Sequence, residues 1–278
     1  MILFPNAKIN LGLNICRKRP DGYHDIESVM VPIGWSDVLE IVPAPEGSPT
    51  TLSVTGRRVD CPVEKNLVMK AFTAMAREFP GMPQASVYLR KIVPDGAGLG
   101  GGSSDAAFTL IGLNSVFNLG ASPEKLAAIA AGLGADCPFF IYNRPMLATG
   151  TGTSLEPYPL DLNGLFIAVA KPEGASVSTA AAYAGVRPAV AYPPVSEAAA
   201  MTIDRWQDML RNDFEPTVAS AVPQIIDIKE HFVRCGAVYA SMSGSGSAVY
   251  GLFATAKMAD AALKGLDGCA CFSGPMVQ

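Results

Sequence analysis

The sequence predicts an α+β fold in two domains, and three observations carry that expectation. Stretches of apolar–polar alternation at 7–15, 37–42 and 87–93 read as strands. Capped or amphipathic stretches at 66–79, 106–119 and 123–133 read as helices. The composition then shifts after Thr149-Gly150-Thr151-Gly152, in a chain of 278 residues that is long enough for one large domain or two ordinary ones. The division is accordingly placed at 1–151 and 152–278.

The first strand runs from Ala7 to Ile15. Ala7, Ile9, Leu11, Leu13 and Ile15 share one face, and Lys8, Asn10, Gly12 and Asn14 the other, as in a half-buried strand. Lys8 beside Asn10 marks either a solvated edge or the lining of a cleft. Arg19-Pro20-Asp21-Gly22-Tyr23-His24 follows, a turn that presents an aromatic ring and an imidazole together. Asp37 to Val42 alternates as the next strand and leads into a proline-rich turn. From Asn66 to Phe79 the pattern is an amphipathic helix with Leu67, Val68, Ala71, Phe72, Met75 and Phe79 on one face. Core packing accounts for those side chains, which leaves Asn66 as a candidate contact.

Ser122-Pro123-Glu124 combines a cap, an N1 proline and an early acid, so a helix starts there and stops at Gly134. Beyond it, Gly134-Ala135-Asp136-Cys137-Pro138-Phe139-Phe140 sets one carboxylate beside an apolar run, where an Asp is ordinarily a helix cap. Leu165 to Ala170 reads as a buried strand. Ser241-Met242-Ser243-Gly244-Ser245-Gly246-Ser247 lies between strand-like flanks and reads by itself as a hairpin turn.

The most informative stretch is Pro94-Asp95-Gly96-Ala97-Gly98-Leu99-Gly100-Gly101-Gly102-Ser103-Ser104-Asp105. It sits between the strand ending at Val93 and a helix expected from Ala106 to Leu119, capped by Ser103 or Ser104. Unpaired N–H groups and the positive end of the helix dipole converge at such a junction, which suits a phosphate. Side chains would hold the phosphate away from the backbone, hence the glycines. Three familiar loops do not match. A Walker A loop needs Lys and Ser/Thr after its last glycine, and here Gly102 and Ser103 follow Gly101. The dinucleotide pattern, present as Gly96, Gly98 and Gly101, lacks its acid about 20 residues downstream. The H-R-D and D-F-G motifs of protein kinases do not occur.

A formal net charge of −4 and the absence of a basic cluster exclude a nucleic-acid partner on electrostatic grounds. No apolar run approaches the ~20 residues that span a bilayer, and no charged leader precedes the first strand, so the expected compartment is the cytoplasm. Six scattered cysteines suggest reduced, mostly buried thiols. Cys269-Ala270-Cys271 is too closely spaced for a zinc knuckle.

The glycine-rich stretch, as P-x-G-x-G-L-G-G-G-S-S-x-A-A over 94–107, resembles the ATP loop of the GHMP kinase superfamily, whose members phosphorylate small alcohols. Pro5-x-Ala7-Lys8-Ile9-Asn10-Leu11 resembles the family's first motif, and 241–247 its third. The string R-x-D-G-Y-H at 19–24 resembles one branch, whose substrate carries cytosine. The resemblance implies the two-domain family fold, with the active site in the cleft between domains. It implies ATP at Pro94, Gly96, Ala97, Gly98, Leu99, Gly100, Gly101, Gly102, Ser103 and Ser104, with Asn66 and Lys91 approaching the nucleotide. A solvated strand lysine is the plain alternative for Lys91. It implies Gly244, Ser245 and Gly246 as a second glycine loop beside the phosphates. Tyr23 and Tyr183 would cover the two faces of the cytosine while His24 reads its edge, with Asn10 also on the substrate side. Lys8 and Asp136 match the catalytic lysine and aspartate.

The implied reaction passes the γ-phosphate of ATP to a hydroxyl of a cytidine diphosphate-linked alcohol of the non-mevalonate isoprenoid route. Asp136 would take the hydroxyl proton, while Lys8 orients Asp136 and offsets phosphoryl charge. Mg²⁺ is expected with ATP, without assigned ligands: the family's metal-binding glutamate has no counterpart here. Asp105 stands where many relatives carry Asn, which leaves a metal role and a capping role open. Two alternatives remain: another GHMP kinase, of the mevalonate or homoserine type, and a non-catalytic nucleotide-binding protein on the same fold. The sequence carries no signal for the oligomeric state.

Overall fold

Alternation at the N-terminus becomes two long strands in a computed structural model, which describes residues 1–59, 61–186 and 193–276. In chain order, β1 (Ile2–Leu3), β2 (Asn6–Lys18), β3 (His24–Ser36), β4 (Val38–Pro43) and β5 (Thr51–Gly56) come first, followed by α1 (Leu67–Glu78) and β6 (Ala85–Lys91). Next are α2 (Gly101–Val116), α3 (Pro123–Ala131), α4 (Cys137–Tyr142), β7 (Met146–Thr149), β8 (Ser154–Pro157) and β9 (Phe166–Pro172). Then come α5 (Thr179–Gly185), α6 (Val195–Ala199), α7 (Trp206–Met209), α8 (Glu215–Ala221) and α9 (Gln224–Arg234). The described chain closes with β10 (Tyr239–Met242), β11 (Val249–Phe253), α10 (Ala256–Ala262) and β12 (Cys269–Pro275). No helix among the described residues is long and apolar enough to cross a membrane.

The chain forms two compact units that interleave in sequence. The first comprises 1–7, 36–95 and 100–143; the second comprises 8–35, 96–99 and the residues from 144 onward. This differs from the consecutive division at 151. The physical reason is that β2 and β3, early in the chain, share a sheet with β7 and β8, which follow residue 143.

In the first unit a sheet of order β1-β4-β6-β5 is antiparallel except for the parallel β5–β6 pair. Its alternation sorts Leu39, Ile41, Val87 and Leu89 onto the face covered by α1 and α2, where they meet Val68, Phe72, Met75, Leu110 and Leu113. The side chain of Asn66 caps α1 by accepting from Val68 N, and that of Ser122 caps α3 by accepting from Lys125 N.

In the second unit the sheet β2-β3-β7-β8 accompanies an antiparallel sheet of order β10-β11-β9-β12. Phe232 of α9 and Ala259 and Ala262 of α10 pack with Ala168, Ala170, Met242, Val249 and Phe253. Of the two readings left open for the second face of β2, the solvated edge does not apply: Lys8 is 3% and Asn10 2% exposed. Gly12 lies so close to Leu210 and Val195 that a Cβ would come within 3.0 Å of each. All six cysteines are free thiols, but only Cys137 is buried, a correction to the expected burial. Cys269 and Cys271 lie on β12 at a sheet edge, where one face of the strand stays open.

Candidate active site

The strand–loop–helix junction begins with β6 and ends in α2. Gly96, Gly98 and Gly100 all hold left-handed backbone angles, with φ of 60°, 74° and 73°. L-residues with a Cβ avoid that region, so the alternate glycines are what let the chain coil here. Gly100 is itself the N-cap of α2, which starts at Gly101 with no side-chain cap. The expectation that Ser103 or Ser104 caps a helix starting at Ala106 is therefore corrected. A left-handed glycine turns the chain into the helix earlier, and both serines lie inside it. By helix geometry the first N–H groups of α2 are not taken up by its own carbonyls. Ser104 is fully buried, and its Oγ lacks a hydrogen-bond partner.

Behind that helix start, in the same unit, lies a buried charge cluster. Lys91, at the end of β6, places Nζ 2.5 Å from Asp37 Oδ2 and 2.7 Å from Asp105 Oδ2. Asp37 Oδ1 accepts from the backbone N–H groups of Ile92 and Val93 at 2.5 and 2.8 Å. All three charged side chains are buried, at 4% exposure or less. Lys91 is thus neither a solvated strand lysine nor a loose one, and Asp105 is held by an ion pair and is not a helix cap. Burial pushes the Asp105 carboxyl up to about 7; the Lys91 charge opposes this and the Asp37 charge adds to it. Burial also works against the Lys91 ammonium, but Asp105 and Asp37 outweigh it and hold its pKa above the ordinary lysine value. Breaking a buried pair of this kind costs about 3–5 kcal/mol, several times a surface pair.

Asp136 stands at the N-cap of α4 with helical backbone angles, and its side chain makes no cap hydrogen bond. The carboxylate is not used in the ordinary way. The Cys137 thiol beside it is pushed up to about 11 by burial, against a hydrogen bond with Ser103, which makes it an inert core group.

In the second unit, residues 96–99 and the loop between β10 and β11 are packed against each other. A Cβ on Gly98 would fall 1.9 Å from the carbonyl oxygen of Ser243, so only glycine fits. Ser243 Oγ donates to Gly98 O at 2.8 Å, and Ala248 N to Ala97 O at 3.1 Å. Gly244 and Gly246 both take positive φ, at 53° and 78°. Strand β2 is joined to both segments: Lys8 N donates to Leu99 O at 2.9 Å, and Asn10 N donates to Ser243 Oγ at 3.3 Å. The ammonium of Lys8 donates to Asn10 Oδ1 at 2.5 Å, Asn10 Nδ2 to Ser28 Oγ at 2.8 Å, and Ser28 Oγ to Gly12 O at 2.6 Å. This chain fixes the lysine's direction. Ser245 Oγ is 3.2 Å from Thr179 Oγ1.

The turn at 19–24 is rigid. Arg19 N donates to Tyr23 O, Gly22 N to Arg19 O, and Tyr23 N to Asp21 Oδ1. Arg17 and Arg19 both pair with Asp25, Arg17 more strongly, and hold its pKa below the ordinary aspartate value. Tyr23 is left 68% exposed. His24 stacks on Tyr183 with centroids 4.9 Å apart and planes at 17°, and Tyr183 meets Phe214 edge-on at 4.8 Å. Residues distant in sequence thus form one aromatic wall.

Two supporting residues, Asp37 and Ser28, escape a reading of the sequence. Asp37 carried no signal beyond preceding a strand, and Ser28 lies inside an apolar strand. Asn212 donates to the carbonyls of Met242 and Gly244, both at 2.8 Å, and so braces the second glycine loop. Among the described residues no group of three His, Cys, Asp or Glu could hold a metal ion.

Residues 66–144 match the family of GHMP kinases N terminal domain, and residues 195–269 match GHMP kinases C terminal. The chain is similar to the 4-diphosphocytidyl-2-C-methyl-D-erythritol kinase of Parabacteroides distasonis, with 48% identity over 253 residues, 91% of this chain and 92% of the relative. The kinase of the same name from Bacteroides thetaiotaomicron is 48% identical over 254 residues, again 91% and 92% of the two chains. A crystal structure of 4-(cytidine 5'-diphospho)-2C-methyl-D-erythritol kinase superposes with a TM-score of 0.83 and 30% identity, covering 99% of this chain and 98% of its own.

Proposed function

The chain belongs to the GHMP kinase family, and on that premise we infer its reaction. It transfers the γ-phosphate of ATP to the C2 hydroxyl of 4-diphosphocytidyl-2-C-methyl-D-erythritol, in the non-mevalonate route to isoprenoid precursors. The observation that carries the reading is the packing of the two glycine-rich segments, Gly98 against Ser243, with β2 hydrogen-bonded to both and Lys8 on that strand. Backbone N–H donors and one directed ammonium suit a reaction whose transition state spreads charge over phosphoryl oxygens.

The residue roles follow from that chemistry. Gly96 to Ser103 cradle the ATP phosphates with backbone N–H groups, and Ser103 and Ser104 add their hydroxyls. The loop at Gly244 to Gly246 lies beside the phosphates with the N–H groups of Gly244 and Ser245, that of Gly246 being donated to Ser243 O. Lys8, aimed by Asn10 and Ser28, offsets charge on the transferring group. Asp136, whose carboxylate is not engaged in capping α4, accepts the proton of the attacking hydroxyl. Asn66 is already engaged as the cap of α1, so its approach to the nucleotide rests on its place at the helix start. Lys91 is assigned to the nucleotide region through the shape of the loop and not through its ammonium, which Asp37 and Asp105 occupy. Tyr23 supplies an exposed ring for the cytosine, His24 recognises the edge of the base, and Tyr183 offers a second aromatic surface.

Mg²⁺ accompanies ATP in phosphoryl transfer and neutralises its phosphates. Bound with ATP, the ion would be held mostly through phosphate oxygens and water, with no side-chain ligand assigned. The division at 1–151 and 152–278 is kept for the two family modules, whose matches at 66–144 and 195–269 fall on either side of it. A phosphate-transfer assay over cytidylylated and free alcohols tests the function. Transfer from ATP to the cytidine diphosphate-linked tetritol alone is expected. Equal transfer to free mevalonate or homoserine overturns the assignment of the acceptor.

A further inference from the structure

We propose that Asp37, Lys91 and Asp105 form a buried clasp that holds both shoulders of the glycine-rich loop in its phosphate-binding shape, with Asp105 as its adjustable member. The entry shoulder is tied by Asp37, whose Oδ1 takes the N–H groups of Ile92 and Val93 just before Pro94. The exit shoulder is tied by Asp105, in the second turn of α2, whose Oδ2 is 2.7 Å from Lys91. Lys91 joins the two carboxylates, so the span from Val93 to the start of α2 is fixed by one buried ion. Lys91 also leaves no spare room at the helix start: a Cβ on Gly101 would lie 3.4 Å from Lys91 Nζ and 3.3 Å from Val93 Cγ1. The clasp rests on the reading that this loop holds ATP, and it adds what sets the loop's shape.

The clasp is unbalanced in charge and in hydrogen bonds. Two carboxylates share one ammonium, leaving one net negative charge when both are ionised. Asp105 Oδ1 is buried with no hydrogen-bond partner, whereas both oxygens of Asp37 are engaged. The charged groups that act on Asp105 among the described residues are Lys91 on β6 and Asp37 ahead of β4. A proton on Asp105 therefore neutralises the cluster, and its carboxyl sits at about 7, so this happens near neutrality. An ionised Asp105 places a negative charge one turn behind the helix start that receives the phosphates, and opposes the helix dipole there. Protonation removes that opposition. ATP affinity then falls as the pH rises through the titration of Asp105. Lys91 and Asp105 are positioning residues for nucleotide binding, acting through the loop's backbone.

The test is ATP binding by titration calorimetry on the full chain without acceptor, from pH 6 to pH 8.5. It compares wild type, Asp105→Asn and Lys91→Met, with circular dichroism to confirm folding. Wild type is expected to lose about fivefold in affinity over this range relative to Asp105→Asn, the effect of one extra buried negative charge behind the phosphate-binding helix start. The shared titration of ATP itself cancels in that ratio. Lys91→Met, where folded, is expected to bind ATP at least tenfold more weakly than wild type across the pH range. If Lys91→Met does not fold, the Asp105→Asn profile decides alone. Superimposable profiles for wild type and Asp105→Asn, with ATP bound by both, overturn the clasp and leave the loop assignment standing. A folded wild-type chain that binds no ATP at any pH overturns the loop assignment, and the clasp with it.

Discussion

At the scale of single residues, two positions separate backbone demand from chemistry. Gly98→Ala would put a methyl 1.9 Å from Ser243 O at a φ of 74°, so the two glycine segments must part. Gly120→Ala has a similar φ of 68° but open space around the new carbon. The second should cost only the backbone term of about 1–2 kcal/mol. The first should cost more and abolish phosphate transfer. Thermal melts and turnover of both variants check this, and equal behaviour of the two would contradict the packing argument. Asp136 makes the sharper chemical case. Asp136→Asn should stay folded while lowering kcat about 10²–10⁴-fold. Lys8→Ala should also lower kcat, and the double variant should be little worse than the poorer single one, since both act on one transfer step. A less stable but fully active Asp136→Asn would remove Asp136 as the base.

At the scale of elements, α1 shows how one residue can satisfy two explanations. Asn66 Oδ1 accepts from Val68 N at 2.9 Å, which by itself justifies an Asn at that position. Asn66→Ala should cost about 0.5–2 kcal/mol of stability. Asn66→Ser, which restores the cap with a different side chain, should recover the stability. If it recovers the KM for ATP as well, Asn66 is a cap and not a nucleotide contact. Chemical denaturation alongside ATP kinetics reads both effects. The glycine junction also belongs to this scale. The strand before it was legible from alternation, and the helix after it from the serines ahead of Ala106 and the stop at Gly120. The start of α2 was misplaced because serines are the common caps, whereas here the left-handed Gly100 takes that position.

At the scale of the whole molecule, the clasp gives folding a pH dependence of definite sign. The Asp105 pKa is about 7 in the folded chain against an ordinary value of 3.8. Between these values the unfolded chain has lost the proton that the folded chain keeps, so stability falls as pH rises and levels off above about 7. Asp105→Asn lacks this slope. Its stability should therefore improve relative to wild type from pH 5 to pH 8, measured by urea denaturation. Asp213, also raised, mainly by burial, has a slope of the same sign, which cancels in the difference between variants. An unchanged difference between the two pH values would show that Asp105 does not titrate as its surroundings require.

The sequence by itself determined the fold class, marked the two glycine-rich segments and the turn at 19–24, and named a candidate residue for each chemical role. These are local properties: a period of two, a cap, a run of glycines, an aromatic beside an imidazole. Only the tertiary structure decided which of them are braced and by what. Lys8 and Asn10 lie on a strand face that alternation alone leaves as solvated edge or cleft lining, and the structure buries both, with Asn10 bonded through its backbone to Ser243 and Tyr250, 233 and 240 residues away. Lys91 looks like any strand lysine until Asp37, 54 residues earlier, is brought against it. His24 and Tyr183 become one wall through a stack that no spacing encodes. The reason is the same in each case. A buried polar group must find its partner wherever the chain's packing supplies one, and sequence distance places no limit on where that is.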